Sequence, residues 1–245
     1  MLSEKSEFGR EKGLILIIKR ILFPNRCPLC DKTISGERAG FCKKCEASLI
    51  LIRGRLCPCC GRPILRLQQV CGDCEKEKHS FIGGRIVFSY AQMSGSIYRF
   101  KYMNRPAYAK AYAVYMDMLL GEWLKDLKPD CFIPVPLYKK RLIRRGYNQS
   151  EELAAALSKL SGIPVFADCV ERIKNTLPQK QMDKKGRERN LKRAFIVREN
   201  VVKLSTVVLI DDIYTTGSTI ESLTTELLEA GVRKVYFITL SAAGT

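Results

Sequence analysis

The feature that most constrains the fold of this chain is a set of four Cys-x-x-Cys pairs within residues 27–74. The pairs are Cys27/Cys30, Cys42/Cys45, Cys57/Cys60 and Cys71/Cys74. They account for eight of the 11 cysteines in 245 residues. No export signal is recognisable, and in that setting such pairs are typical of metal sites rather than of disulfides.

The spacing of the pairs suits two small zinc ribbons, since 11 residues separate the first two pairs and 10 separate the last two. A cross-braced arrangement, in which the first pair shares an ion with the third, is the alternative. Four thiolates leave no open coordination position, which favours structural over catalytic zinc. Residues 27–80 have few apolar runs, so this segment needs bound metal to fold. The sequence therefore predicts about two structural Zn²⁺ ions.

The remaining cysteines and the lone histidine are not expected to bind metal. Cys59 is left over beside Cys60 as a free thiol, and Cys131 and Cys169 are interpreted as inert buried thiols. His79 is interpreted as a surface residue.

The net charge of +17 points to anionic partners such as phosphates, nucleic acid or acidic lipid. Eight thiolates and two Zn²⁺ ions would lower it only to about +13. The apolar run at residues 14–18 is too short to span a bilayer, which needs about 20 residues. We interpret it as a short basic amphipathic helix that docks on the protein. The expected location is the cytoplasm, with peripheral attachment to the inner face of the membrane as the alternative.

Strand and helix patterns alternate from residue 81 onwards. Strands are predicted at residues 85–90, 131–135, 194–197, 206–210 and 235–240, with one or two more in 165–173. Helices are predicted at residues 95–103, 107–125, 150–160 and 219–230. The expected fold is α/β with a mainly parallel sheet. The predicted organisation is an N-terminal amphipathic helix and frayed end (1–26), a cysteine-rich module (27–80) and an α/β domain (81–245).

The sharpest local signal is the segment VVLIDDIYTTGST at residues 207–219. A buried strand ends in Asp211 and Asp212, and a loop of small residues then opens a helix. Gly217 permits a tight turn, so the amides of residues 216–219 and the positive helix end can bind one phosphate. Further donors are the hydroxyls of Thr215, Thr216, Ser218 and Thr219. Ribose hydroxyls are natural partners for the two acids, whereas an ordinary capped helix start would explain only one or two of the hydroxyl residues.

This segment resembles the fingerprint of the type I phosphoribosyltransferases, although Tyr214 is bulkier than the aliphatic residue common there. The resemblance implies a phosphoribosyltransferase-type sheet that binds phosphoribosyl pyrophosphate with Mg²⁺. It also implies catalytic roles for Asp211 and Asp212, which would stabilise an oxocarbenium-like state electrostatically.

Two further segments narrow the resemblance. VPL at residues 135–137 leads to RRGYNQS at 144–150, and residues 176–195 follow the pattern TxxQxxMxxxxRxxNxxxAF. Together with the cysteine module, they resemble the ComF family of competence-associated, phosphoribosyltransferase-like proteins. The resemblance runs from about Phe23 to Leu240, with Met182 where the family more often has Leu.

The segment after Pro136 is the predicted pyrophosphate loop, because open α/β sheets bind ligands at the carboxyl ends of their strands. It has five basic residues in seven, followed by two amides: Lys139, Lys140, Arg141, Arg144, Arg145, Asn148 and Gln149. Residues 174–193 are the predicted mobile loop that closes over the substrate, with Gln179, Arg187 and Asn190 as its site residues. The alternatives are a solvated basic turn and a disordered connector.

Two function classes follow. The family resemblance implies a role in natural transformation, in which the protein handles incoming single-stranded DNA, with competence proteins as further partners. Residues 172–193 carry a net charge of +7, which is more than one pyrophosphate needs. This stretch lacks the interleaved aromatic residues on which bases stack, since Tyr138 and Tyr147 lie only at the flanks of the basic segment 139–145. The alternative is an enzyme that moves phosphoribose onto a nitrogenous base. No C-terminal hood is expected to cover such a base, so residues 81–125 or the cysteine module would have to supply it.

Overall fold

The computed structural model describes residues 24–34, 40–174, 194–198, 201 and 203–245. The N-terminal helix predicted within residues 1–26 therefore lies almost wholly outside the described residues, as do Gln179, Arg187 and Asn190. Within the described ranges, no helix has the length and apolar character needed to cross a membrane.

Four parallel strands form the central sheet, and a short antiparallel pair lies apart from it. In chain order the strands are β1 (Gly83–Ser89), β2 (Cys131–Pro134), β3 (Val170–Arg172), β4 (Phe195–Val197), β5 (Thr206–Tyr214) and β6 (Lys234–Ala242). The sheet order is β1-β6-β5-β2, while β3 pairs with β4. The carboxyl ends of β2 and β5 are neighbours, since Pro134 is paired with Ile210.

Seven helices are found in the described residues. They are α1 (Lys43–Glu46), α2 (Gly72–Lys76), α3 (Tyr90–Tyr102), α4 (Tyr108–Leu127), α5 (Lys139–Arg145), α6 (Gln149–Ser161) and α7 (Ser218–Glu229). The short helices α1 and α2 belong to the cysteine-rich segment, whereas α3, α4, α6 and α7 contribute buried residues to the clusters on the sheet.

The sheet is buried on both faces, as parallel sheets generally are. Along β5, Val208 and Ile210 belong to one apolar cluster with residues of α3, α4 and α6. Val207 and Leu209 belong to a second cluster with residues of α7 and of the β3–β4 pair. The predicted fold class is confirmed: a mainly parallel α/β sheet preceded by a small cysteine-rich zinc-ribbon module.

The cysteine-rich segment contributes to both clusters. Cys27 and Phe41 join the first cluster, and Cys57 and Cys60 join the second. The first ribbon therefore packs on one face of the sheet and the second ribbon on the other.

Two local predictions were wrong. Strand β5 does not end at the acids but continues to Tyr214, because Asp211 pairs with Thr239 and Tyr214 with Ala242 of β6. The predicted pyrophosphate loop is largely helical, with α5 closed by Gly146 in the left-handed conformation at φ 81°. Glycine tolerates that conformation without steric cost, which makes it a common helix terminator.

Candidate anion site and metal centres

The acid pair lies near the carboxyl end of β5, an inner strand of the sheet. Asp211 Oδ1 accepts hydrogen bonds from Ser150 Oγ at 3.2 Å and from the Asp212 amide at 2.8 Å. Burial, and then the neighbouring charge of Asp212, raise the pKa of the Asp211 carboxyl to about 7. The two carboxylates are thus held together by the strand, at the carboxyl end where ligands bind to such sheets.

Lys101 from α3 neutralises one of these acids. Its Nζ lies 2.8 Å from Asp212 Oδ1, and both side chains are largely buried. The sequence analysis missed Lys101, because it precedes Asp212 by 111 residues in an otherwise ordinary amphipathic helix. No local pattern could have identified this contact.

Further positive charge lies beside the pair. Arg172 of β3 is buried, and its guanidinium stacks over the Phe195 ring at 5.4 Å. Burial, and then repulsion by Arg141, lower the pKa of Arg172, while Asp211 opposes that shift. Burial, and then Arg145, likewise lower the pKa of Arg141. Cations forced together in this way attract anions strongly.

The predicted phosphate loop joins β5 to α7. Gly217 lies at φ 80° as the N-cap of α7, and it has no side chain to cap the first amides of that helix. A Cβ at this position would also come within 2.4 Å of the Tyr214 hydroxyl. Thr215 and Thr216 are exposed, and the hydroxyls of Thr216 and Ser218 are 2.7 Å apart. The loop thus combines exposed hydroxyls with a helix amino terminus.

The predicted pyrophosphate residues divide into two groups. Lys139 and Arg144 of α5 are exposed, whereas Arg141 and Arg145 are half-buried. The two amides, Asn148 and Gln149, are buried and bonded within the chain. Asn148 caps α6 by accepting from the Ser150 amide at 3.1 Å, and it donates to the Val135 carbonyl at 3.1 Å.

Gln149 supports α5 in turn. Its Oε1 accepts a hydrogen bond from Arg145 Nη1 at 2.7 Å. These contacts anchor the segment after β2 so that its basic side chains stay near the acid pair.

The eight paired cysteines form two groups, each with all four sulfur atoms within 4.8 Å of one another. The members are Cys27, Cys30, Cys42 and Cys45 in the first group, and Cys57, Cys60, Cys71 and Cys74 in the second. The pairing is therefore sequential, and the cross-braced alternative is wrong. A tetrahedral zinc site with Zn–S bonds of about 2.3 Å has sulfur atoms about 3.8 Å apart. The separations of 3.9 Å (Cys30–Cys42) and 3.5 Å (Cys60–Cys71) fit that ion.

The second ribbon contacts the phosphate loop directly. Arg62 Nη2 donates to the Thr215 carbonyl at 2.7 Å, and the guanidinium lies 5.4 Å from the centre of the Tyr214 ring. Asp73, within the same ribbon, pairs with Arg62 Nη1. The Tyr214 ring at the end of β5 stacks on Phe237 at 5.0 Å, which explains the bulky residue at this position.

A second link joins the same ribbon region to the first turn of α7. Glu221 accepts hydrogen bonds from the Ser80 amide at 2.9 Å and from Ser80 Oγ at 2.6 Å. Burial favours protonation, but His79 and Ser80 outweigh it and hold the pKa of Glu221 below its usual value. The His79 side chain is only 5% exposed and lies 3.6 Å from Glu221. The interpretation of His79 as a surface residue was therefore wrong.

Cys131 and Cys169 are buried as predicted, with 0% and 1% of their surface exposed. Burial raises their pKa values to about 12 and about 11, respectively. Cys59 is half-buried, and its sulfur lies within 4.8 Å of Cys74 and His79 side-chain atoms.

Comparison with known proteins identifies the family. A double zinc ribbon domain matches residues 18–75. The chain is 33% identical over 219 residues to competence protein F of Haemophilus influenzae, covering 87% of this chain and 95% of that protein. The chain belongs to the ComF family.

Other similar proteins agree with this assignment. Competence protein ComFC of Bacillus subtilis is 32% identical over 84% of this chain and 89% of its own length. DNA utilization protein YhgH of Escherichia coli K12 is 31% identical over 86% of this chain and 94% of its own length. With the double zinc ribbon match, the two cysteine groups of this ComF chain correspond to about two structural zinc ions.

Similar solved structures include a purine phosphoribosyltransferase from Pyrococcus horikoshii, with 18% identity, 54% of this chain and 82% of that chain covered, and a TM-score of 0.34. Adenine phosphoribosyltransferase from Saccharomyces cerevisiae is 12% identical, with 58% of this chain and 72% of that chain covered and a TM-score of 0.39.

Proposed function

We propose that this ComF chain binds phosphoribosyl pyrophosphate at the acid pair and the phosphate loop, and that it handles incoming single-stranded DNA during natural competence. The observation that carries the ligand is the convergence of two strand ends and a helix start. Asp211 and Asp212 lie near the carboxyl end of β5, a few residues before the loop at 215–219, and cations from three other elements lie close to them.

Each part of the ligand has a complementary group in the chain. The amides at the start of α7 and the loop hydroxyls suit the 5-phosphate. The acids suit the ribose hydroxyls, and the basic residues of α5 suit the pyrophosphate. Asp211 and Asp212 also offer the carboxylate oxygens that Mg²⁺ prefers, and they are the residues that would hold the ion. When bound, Mg²⁺ would neutralise charge on the pyrophosphate.

The competence role is supported by the relatives, whose names are competence protein F, competence protein ComFC and DNA utilization protein YhgH. The charge of the chain supports a polyanion as the partner. Residues 172–193 hold nine basic and two acidic residues, and the segment 139–145 adds five basic ones. A single strand with many phosphates could use this surplus, whereas one pyrophosphate could not.

Calorimetric titration with phosphoribosyl pyrophosphate and Mg²⁺ tests the ligand assignment. Asp211→Asn combined with Asp212→Asn should weaken binding at least tenfold, about 1.4 kcal/mol. Asp126→Asn, which alters an exposed carboxylate on α4, is the matched control and should bind like the wild type. An unchanged affinity in the folded double variant would refute the site.

Binding of a single-stranded oligonucleotide at several salt concentrations tests the partner. Affinity should fall steeply with salt, because each neutralised phosphate releases counterions. Alanine at five basic positions of the predicted mobile loop should reduce both affinity and salt slope: Lys184, Lys185, Arg189, Lys192 and Arg193. Absence of binding at low salt would refute this half of the proposal.

Lys101 favours the second candidate function, an active phosphoribosyltransferase. Its contact with Asp212 brings the end of α3 to the acid pair, as a hood formed by residues 81–125 would require. Pyrophosphate release from phosphoribosyl pyrophosphate, screened against nucleobases and single-stranded DNA, tests this candidate. Turnover with a free base and no strand binding would establish the enzyme instead.

A further inference from the structure

Two exposed tyrosines lie on one face of α3. Tyr98 is 58% and Tyr102 is 50% exposed, and they are the aromatic members of the exposed large hydrophobic residues in the described part of the chain. A spacing of four residues places them side by side, with ring centres 5.1 Å apart. Large aromatic side chains left together in solvent are a common mark of a binding surface.

An arginine from another helix extends this pair into a row. The Arg145 guanidinium of α5 lies 4.9 Å from the centre of the Tyr102 ring, and its Nη2 donates to the Tyr102 hydroxyl at 3.2 Å. Gln149 holds the same guanidinium through Nη1. The row Arg145, Tyr102 and Tyr98 thus joins flat π surfaces to a fixed positive charge.

The row borders the acid pair. Lys101 is the residue next to Tyr102, and its Nζ contacts Asp212. Arg141, one turn before Arg145, lies close enough for the two guanidiniums to repel each other. A ligand on the tyrosines would therefore meet several cations within a short distance.

We propose that Tyr98 and Tyr102, with Arg145, form a base-stacking platform for a single-stranded nucleic acid that passes the acid pair. This inference rests on the proposed function and deepens it. Non-specific single-strand binding requires aromatic rings for the bases as well as cations for the phosphates. The basic tract at residues 172–193 contains no tyrosine, tryptophan or histidine, so the platform supplies what that tract lacks.

Charge complementarity selects a nucleic acid over an apolar protein partner. Two further arginines of α5, Arg141 and Arg144, lie within about one turn of Arg145, and cations of this density would repel a basic partner and favour a polyanion. An aromatic ring can stack on any base, so the platform would show little sequence preference.

Fluorescence anisotropy with two labelled probes tests the platform. One probe is a 15-nucleotide oligothymidylate, and the other is an abasic strand of the same length and charge. Wild-type protein should bind the thymidylate at least tenfold more tightly than the abasic strand, since stacking needs a base. Tyr98→Ala with Tyr102→Ala should abolish that preference and leave the binding of the abasic strand unchanged.

Two control variants separate stacking from other roles. Tyr98→Phe with Tyr102→Phe keeps the rings and should keep the preference for bases. Val114→Ala with Met118→Ala removes an exposed apolar pair at the same spacing on α4, and should behave like the wild type. Thermal melting of each variant verifies that it is folded.

Equal affinity of the wild type for both probes would overturn the platform while leaving the proposed strand handling intact. Retention of the preference for bases by the Tyr98→Ala, Tyr102→Ala variant would also overturn the platform and leave the strand handling intact. Failure to bind either probe would overturn both. If the alanine variant instead lost only pyrophosphate release with a free base, the row would be an acceptor-base site, and the platform would again be overturned.

Discussion

The two zinc ribbons of this chain share their internal structure but not their neighbours. In the first, the Cys42 amide donates to Cys27 Sγ at 3.4 Å, and in the second the Cys71 amide donates to Cys57 Sγ at 3.4 Å. Each ribbon is also closed by one isolated antiparallel bridge, Arg26 with Thr33 and Leu56 with Pro63. The difference between them therefore lies in what each ribbon contacts.

The first ribbon is bonded to α3, to α4 and to the segment between them. Arg105 Nε donates to Asp31 Oδ1 at 3.1 Å, Arg99 donates to the Leu29 carbonyl at 2.7 Å, and Tyr115 donates to Glu46 at 2.6 Å. Its apolar side, including Phe41, joins the cluster under α3 and α4. We infer that this ribbon contributes mainly to stability.

The second ribbon is bonded to the candidate site. Arg62 holds the Thr215 carbonyl of the phosphate loop, and Ser80, just beyond the ribbon, holds Glu221 of α7. The same cysteine motif thus packs against the helices on one face of the sheet and holds the candidate phosphate loop on the other. Zinc loss should have different consequences at the two centres.

The largest expected effect comes from removing one equivalent thiol in each ribbon. Cys27→Ala and Cys57→Ala both remove a fully buried ligand, and each variant should hold about one zinc ion instead of about two. Loss of a structural metal site should lower the free energy of unfolding by about 4 kcal/mol or more in both. Binding of phosphoribosyl pyrophosphate should weaken at least tenfold in the Cys57 variant and less than twofold in the Cys27 variant.

Metal analysis and calorimetry at low temperature, where both variants remain folded, measure these effects. Equal losses of affinity in the two variants would break the comparison, because the first ribbon is bonded to Arg99 and Arg105 and not to the described residues of the phosphate loop.

A smaller effect is expected from the arginines that link each ribbon to its neighbour. Arg62→Met should weaken ligand binding threefold to tenfold, because the loop carbonyl of Thr215 loses its charged donor. Arg105→Met should leave affinity unchanged but lower the free energy of unfolding by about 1–3 kcal/mol, since Asp31 loses its closer ion pair and keeps only Arg26 at 3.9 Å. Calorimetry and urea denaturation distinguish the two. A loss of affinity only in the Arg105 variant would reverse the assignment of the ribbons.

The smallest effect is expected from the acids that receive hydrogen bonds at each interface. Glu221→Gln and Glu46→Gln keep one acceptor oxygen but lose the charge, so each should destabilise the protein by about 1 kcal/mol. Ligand affinity should change less than threefold in the Glu221 variant, and not measurably in the Glu46 variant. Denaturation and calorimetry on the same samples provide the test, and a larger change of affinity from Glu46 would count against the comparison.

Local pattern was sufficient to predict much of the fold. The strand at 131–135 and the helices at 107–125 and 150–160 agree with β2, α4 and α6 to within two residues at either end. Their apolar periodicity and their Gly or Pro boundaries are encoded within a few residues. Cysteine spacing likewise identified both ribbons, but it could not exclude cross-bracing, because 11 residues also separate the second and third pairs.

The contacts that assemble the site could not be predicted in the same way. Lys101 meets Asp212, and Arg62 meets Thr215 across 153 residues of chain. Such pairs depend on how the ribbons and α3 pack on the sheet, and this packing leaves no local pattern. The extension of β5 beyond Ile210 has the same origin, since pairing with β6 overrides the poor strand propensity of two aspartates.

The central claim is that the loop held by the second ribbon binds the 5-phosphate of a ribose. Amide hydrogen exchange tests this claim most directly. Ribose 5-phosphate, and separately phosphoribosyl pyrophosphate with Mg²⁺, should slow exchange of the amides at residues 216–219, because the bound phosphate accepts their hydrogen bonds. Protection should extend to the second ribbon around Arg62 and should not reach the first ribbon. Unchanged exchange at residues 216–219 in saturating ligand, with the protein folded and zinc-loaded, would contradict the account.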